Sequence, residues 1–333
     1  MVHNRRLLLL IISLPLIACR AASSLTPTIP ATLVTVATGE STTAIMTEDA
    51  MSLTDGFELN YTAAGGRPFV QTMLHISPAG QAELYLGSSW SLPPGDLDTV
   101  GFFGGRVPTN SWHSLQTYLT AENVLVHPGS RAATSPDMAS RHLTLRQGGQ
   151  EQTITITDTS QEPTLARLEE MLLEIMTGLA TKPLRAARVT LDLPVNGRGA
   201  EPQLTITNAG SEPLSLVLFS AANVNQYMHV EFHLEQRFTL PSGIEMWLPV
   251  SSSAAARADI MTLVEAGAFP EGSHTLAPGA AHSFNLAQIA LPESSQPLYA
   301  RSVITFWLAT DGEDFRPVTV QTARIQLDES PNS

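Results

Sequence analysis

From residue 188 to residue 327 the chain repeats one pattern: short runs of alternating or clustered apolar residues, broken by glycine, proline or asparagine turns. Alternation with period two sends successive side chains to opposite faces of an extended strand, and a sheet that buries one face is the structure that satisfies it. The runs fall at 189–193, 204–207, 214–219, 230–234, 244–248, 260–264, 284–289, 303–308 and 318–327, and no long helical stripe interrupts them. Asn208-Ala209-Gly210 and Ala277-Pro278-Gly279 supply turns of the kind that join antiparallel neighbours. Short strands at this spacing predict an all-β sandwich over 184–328.

The preceding stretch mixes two periods. Phe57, Leu59 and Tyr61 alternate with polar residues, as do parts of 70–76 and Ala82, Leu84 and Leu86, with Gly65-Gly66 and Pro78-Ala79-Gly80 as turns. Residues 92–105 read as loop, because Pro93-Pro94-Gly95 and Gly104-Gly105 punctuate them. Asn110 or Ser111 is placed to cap a helix whose Trp112, Leu115 and Leu119 share one face. After loops at His127-Pro128-Gly129 and Ser135-Pro136-Asp137, Leu143 and Leu145 mark one strand and Ile154 and Ile156 another, joined at Gly148-Gly149. A helix from 163 to about 176 follows, with Pro163 at its first position, Gly178 as its stop, and an apolar stripe of Leu165, Leu168, Leu172, Ile175 and Leu179. The expected fold class is therefore an α+β N-terminal domain over 54–181 and an all-β sandwich over 184–328, divided at Lys182-Pro183.

The first residues carry an address. Arg5 and Arg6 precede an apolar run over 7–17, and Ala18 is the small residue before Cys19, the only cysteine of the chain. That run is about half the roughly 20 apolar residues needed to span a bilayer. The segment Leu16-Ile17-Ala18-Cys19 resembles the lipobox of bacterial lipoproteins. The resemblance implies that 1–18 is a removed signal peptide. It implies further that Cys19 receives a diacylglycerol thioether and that the membrane is a partner through it, with the folded part on the extracytoplasmic side of a cell envelope. Residues 19–53 are rich in Thr, Ala, Ser and Pro, a composition that reads as a flexible tether.

Charge and motif content narrow the function classes. The formal charge is −13, and removal of Arg5 and Arg6 with the leader takes it to −15, so a nucleic-acid partner is not expected. One thiol cannot form an internal disulfide. There is no Gly-x-Ser-x-Gly elbow, and Lys182, the single lysine, completes no Ser-x-x-Lys. Asp96, Asp98 and Asp137 are scattered loop carboxylates, and Asp311-Gly312-Glu313-Asp314 lacks the ligand spacing of a calcium loop. Neither an enzyme nor a cofactor is expected. The one metal-like group is His229, Glu231 and His233, which period-two geometry puts on one strand face with about 7 Å between neighbours. The same geometry turns Val230, Phe232 and Leu234 to the core, which makes the three polar residues the solvated side of the strand.

Two further likenesses bear on fold. The run from Leu204 to Leu216, with Leu276-Ala277-Pro278-Gly279, resembles the immunoglobulin-like modules of bacterial envelope proteins, which implies fold and leaves activity open. Residues 57–177 resemble the emfourin family in the order of their elements, in 61–67 with Gly65-Gly66, in the 74–86 hairpin and in the 165–175 helix. That likeness implies a protein inhibitor of thermolysin-type metalloproteases, although the long Pro and Gly loops at 90–110 and 127–140 depart from the family. Phe102-Phe103, set among glycines, either tucks one ring into the core or exposes both as an anchor for a partner. The leading expectation is a lipid-anchored, non-enzymatic binding protein with a protein partner. The rivals are an emfourin-type inhibitor and a metal-binding protein or enzyme using the His229, Glu231 and His233 face.

Overall fold

The computed structural model describes residues 56–66, 69–93, 95, 97–121, 124, 138–156, 162–196, 199–200, 202–219, 228–253, 272–285, 289–290, 297–309 and 315–327. Cys19, the leader, the tether, the expected strand at 260–264 and the Asp311 turn lie outside them.

The chain runs through β1 (Glu58–Gly65), β2 (Val70–Ile76), β3 (Gln81–Leu86), β4 (Thr99–Arg106), α1 (Thr109–Ala121), β5 (Ala139–Gln147), β6 (Gln150–Ile156) and α2 (Pro163–Ala180). It continues through β7 (Pro183–Asp192), β8 (Val195–Asn196), β9 (Gly199–Ala200), β10 (Gln203–Asn208), β11 (Leu214–Phe219), β12 (His229–Thr239) and β13 (Glu245–Ser253). The last elements are β14 (Gly272–Leu276), β15 (Ala281–Asn285), β16 (Ile289–Ala290), β17 (Leu298–Ala309), β18 (Phe315–Gln321) and β19 (Ile325–Leu327).

These elements make a mostly β protein with two principal sheets. A nine-stranded sheet has the order β15-β10-β7-β4-β3-β2-β1-β5-β6. A seven-stranded sheet has the order β13-β12-β17-β11-β14, with β18 and β19 also paired to β17. A small third sheet joins β16, β9 and β8.

The alternation of buried residues explains the layering. On one face of the nine-stranded sheet, Leu59, Leu74, Leu84 and Phe103 pack with the apolar stripes of α1 and α2. On the opposite face, Tyr85, Val100, Val189 and Ile206 pack with Val230, Phe232, Ile304 and Phe306 of the seven-stranded sheet. Leu84 and Tyr85 are consecutive and serve opposite cores, as do Ala186 and Ala187. Each fully buried Leu, Ile or Phe side chain is worth about 1.5–3 kcal/mol against exposure.

Two expectations change here. The stretch 92–105, expected as loop, contains β4, an interior strand paired with β3 on one side and β7 on the other. Its glycines read as turn signals, but they permit close approach. A Cβ on Gly101 (φ +125°) would lie 2.5 Å from the Arg185 carbonyl oxygen, so only glycine lets β4 and β7 meet there. The β4–β7 ladder also carries the nine-stranded sheet across Lys182-Pro183, where the sequence placed a boundary.

Candidate functional site

Among the described residues, those singled out by sequence do not gather into one site. Phe103 is 2% exposed in the helix-side core, which removes it as a partner contact. Phe102 is half-buried and held, with its ring 4.9 Å from that of Tyr85 and the Arg185 guanidinium 4.9 Å over its face. Arg316 approaches the same ring at 5.9 Å. The pair therefore packs on both sides of β4, and the candidate partner contact is corrected: of the two arrangements left open, the one with a ring in the core is present, because β4 is an interior strand.

Along β12 the period-two reading holds for the core side, with Val230, Phe232 and Leu234 buried. On the other side His233 Nε2 lies 3.5 Å from Glu231 Oε2. The His229 side chain lies outside the described residues, and among those residues no group of three or more His, Cys, Asp or Glu is placed to hold a metal ion.

Two other places gather polar and apolar chemistry. The first is a cleft of about 420 Å³ between α2, the strands β1, β2 and β5, and the loop that follows β3. Tyr61 from β1, Val70 from β2, Trp90 from the loop, and Leu173 and Met176 from α2 give it apolar walls. Ala63, Ala139 and Ala166, one each from β1, β5 and α2, leave its space unfilled. At its polar end Arg141 Nη1 donates to both Glu169 carboxylate oxygens, at 2.9 and 3.0 Å, tying β5 to α2. Burial, helped by the nearby Glu169 carboxylate, pushes the Tyr61 phenol well above the usual tyrosine range, so it remains a neutral hydroxyl.

The second lies on the outer face of the seven-stranded sheet. Glu235, 4% exposed, accepts from Arg301 Nε and Arg324 Nε at 2.6 Å each. Arg301 also donates to Gln321, and the Arg324 guanidinium stacks 4.4 Å over Trp247, whose ring meets Tyr299 edge-on at 4.9 Å. A register shift between Leu234 and Glu235 in the β12–β13 ladder marks a bulge at this point. Beyond the cluster the two strands continue as an arm. Phe238, Ile244, Met246, Leu248 and Val250 are each 38–59% exposed on it. Its charges are paired, Arg237 Nη2 lying 2.8 Å from Glu245 Oε1. Among the described residues β13 has a ladder partner, β12, on one side only.

Sequence reasoning passed over both places. Glu235, Arg301 and Arg324 are joined by the antiparallel return of β17 and the segment between β18 and β19, which no local spacing encodes. The available signal was that Glu235 continues the polar phase of Glu231 and His233.

Among the described residues the fold is mostly β, with two principal sheets and two helices on one face of the larger. No family model matches the chain, and no curated protein does. Among solved structures it is similar to the solution structure of a late embryogenesis abundant (LEA) protein. The two are 10% identical over 53% of this chain and 92% of that one, with a TM-score of 0.23, a score too low to carry an argument.

Proposed function

We propose that this protein is a lipid-anchored component of a bacterial envelope that works by binding, with the β12–β13 arm as the surface that meets a protein partner. The basic, apolar and small-residue order ending at Cys19 supports the anchor. On this reading the α+β part over 54–181 and the immunoglobulin-like sandwich over 184–328, joined through the nine-stranded sheet, stand off the membrane together on the 19–53 tether.

The observation that carries the binding role is the arm itself. A monomer in water rarely keeps so many large apolar side chains exposed on one hairpin, and such patches mark contact sites. Among the described residues β13 is paired on one side only, and an edge of that kind is completed by an extended segment of another protein, main chain to main chain, with apolar side chains at alternate positions. An exposed apolar loop across 90–110 would favour the inhibitor reading. The described part of that stretch holds β4 in the sheet interior, so nothing there favours it.

The test is capture of partners by the native lipidated protein and by its Leu248→Lys variant from envelope extract. The expected result is a specific partner retained by the wild type and lost by the variant at unchanged melting temperature. Equal capture by both overturns the arm as contact surface. Globomycin is expected to leave an acyl-labelled precursor that keeps its leader, and Cys19→Ser to abolish acyl labelling; processing unaffected by globomycin, or labelling of the Cys19→Ser variant, overturns the anchor.

A further inference from the structure

We infer that the cleft between α2 and the strands β1, β2 and β5 binds an uncharged amphipathic small molecule, apolar in its body and with a polar head that both accepts and donates hydrogen bonds. This site draws on elements other than the arm and does not rest on the function proposed above.

The polar end fixes the head group. Arg141 spends a single nitrogen, Nη1, on both oxygens of Glu169, and among the described residues its Nε and Nη2 have no hydrogen-bond or ion-pair partner. A guanidinium edge of two parallel N–H groups is a fork that seeks acceptor oxygens. Beside it stands the Glu169 carboxylate, which accepts. A donor edge and an acceptor placed side by side match a head bearing a carbonyl and a hydroxyl, as in a hydroxy-ester or a hydroxy-amide.

Charge decides against an ion. Glu169 already cancels Arg141, and Glu170 at the cleft edge is paired with Arg167 at 2.8 Å. A ligand anion would therefore meet a locally neutral site within a chain of net charge −13, and gains no net attraction there. A ligand cation would compete with Arg141 for Glu169. An uncharged head keeps the bridge intact and uses the two groups it leaves open.

The walls fix the body. Val70, Leu173 and Met176 offer aliphatic surface, and the half-buried Trp90 indole offers a flat apolar one. Tyr61 stays neutral, so the cleft floor carries no charge. A volume near 420 Å³ lies in the range of roughly 300–1,000 Å³ typical of small-molecule sites.

The probe is 1-lauroylglycerol, titrated below its micelle concentration into the full chain and followed by calorimetry and tryptophan fluorescence, with laurate at matched concentration as the charged comparison. Saturable binding of the glycerol ester, tighter than that of laurate, is expected. Arg141→Gln should weaken it about tenfold, the loss that accompanies one charge-assisted hydrogen bond. Ala166→Trp, which fills the cleft and leaves both polar groups in place, should abolish it. Circular dichroism identifies a variant that has lost its fold, and Ala139→Leu, which fills the same space from β5, then replaces Ala166→Trp. The inference is overturned by absence of saturable binding, by tighter binding of laurate, or by wild-type affinity in a folded filling variant.

Discussion

Gly101 and Gly148 separate two meanings that one residue type carries. Both have positive φ, +125° and +57°, but a Cβ on Gly101 would strike the Arg185 carbonyl at 2.5 Å and one on Gly148 would meet nothing within 4 Å. Gly148→Ala is expected to cost about 1 kcal/mol, the left-handed penalty alone. Gly101→Ala adds a backbone clash between β4 and β7 and is expected to cost more than about 3 kcal/mol, with urea midpoints as the measurement. In the sequence the two glycines look alike, because what distinguishes them is a strand eighty residues away. Gly210 is a third case: its Cβ would lie 1.9 Å from the Leu184 carbonyl oxygen, while Asn208 Oδ1 accepts from its N–H at 2.9 Å. Here the turn Asn208-Ala209-Gly210 was legible, but the carbonyl packed against it was not. Tyrosines show the same dependence on partners. Burial raises the phenol pKa of Tyr61 and Tyr85 above the ordinary value of about 10, so the folded chain holds two protons that the unfolded chain releases there. Their contribution to stability is present below about pH 10 and is lost as pH rises above it. Of the five tyrosines, two should therefore escape spectrophotometric titration until the chain unfolds; free titration of all five in the folded protein would contradict their burial.

At the scale of elements, the amphipathic pattern was most readable where one face alone had to be buried. Trp112, Leu115 and Leu119 on α1, and Leu165, Leu168 and Leu172 on α2, are buried as their spacing requires. The ends were less legible. α2 runs past Gly178 to Ala180, because Leu179 still reaches the core, and its burial exceeds the roughly 1 kcal/mol cost of a helical glycine. α1 begins at Thr109, which puts Asn110 and Ser111 inside its first turn. On β12 the alternation predicted the core face, but the bulge at Leu234/Glu235 and the burial of Glu235 on the other face depend on β13, β17 and the segment carrying Arg324. That carboxylate joins strands far apart in sequence at the base of the arm. Glu235→Ala leaves two guanidiniums facing each other without their shared acceptor and is expected to cost about 3–5 kcal/mol, as loss of one partner of a buried pair does. Glu235→Ala combined with Arg324→Leu should recover part of the loss. A double variant no more stable than the single one would show that the two arginines do not repel across that gap.

For the whole molecule, the question left by the sequence is whether the segments on either side of Lys182-Pro183 behave as one cooperative unit. Composition and periodicity change at that point, which is why a boundary was legible; the ladders that cross it are long-range and left no local trace. β4 pairs with β7, and the Tyr85 hydroxyl donates to the Pro317 carbonyl at 2.8 Å. Ser89 N–H donates to the Thr319 carbonyl at 3.0 Å, and Gln321 N–H donates to Ser89 Oγ at 2.8 Å. Tyr85 and Val100 are buried in the core shared with the seven-stranded sheet, so a chain ending near residue 182 would expose them. Breaking the β4–β7 ladder would also remove Ala186 from the helix-side core. Separate unfolding would therefore open an interior sheet edge and two apolar faces, a cost that independent modules joined by a linker do not carry. The tryptophans report on each side separately, Trp90 and Trp112 before the boundary, Trp247 and Trp307 after it. Variants that keep only one pair, with the others changed to phenylalanine, should give coincident urea transitions that also coincide with the loss of far-ultraviolet circular dichroism. Transitions separated by more than the spread between replicate curves would mean that the sheet parts at β4–β7, and that the change of pattern at Lys182-Pro183 marks two folding units in spite of the hydrogen bonds across it.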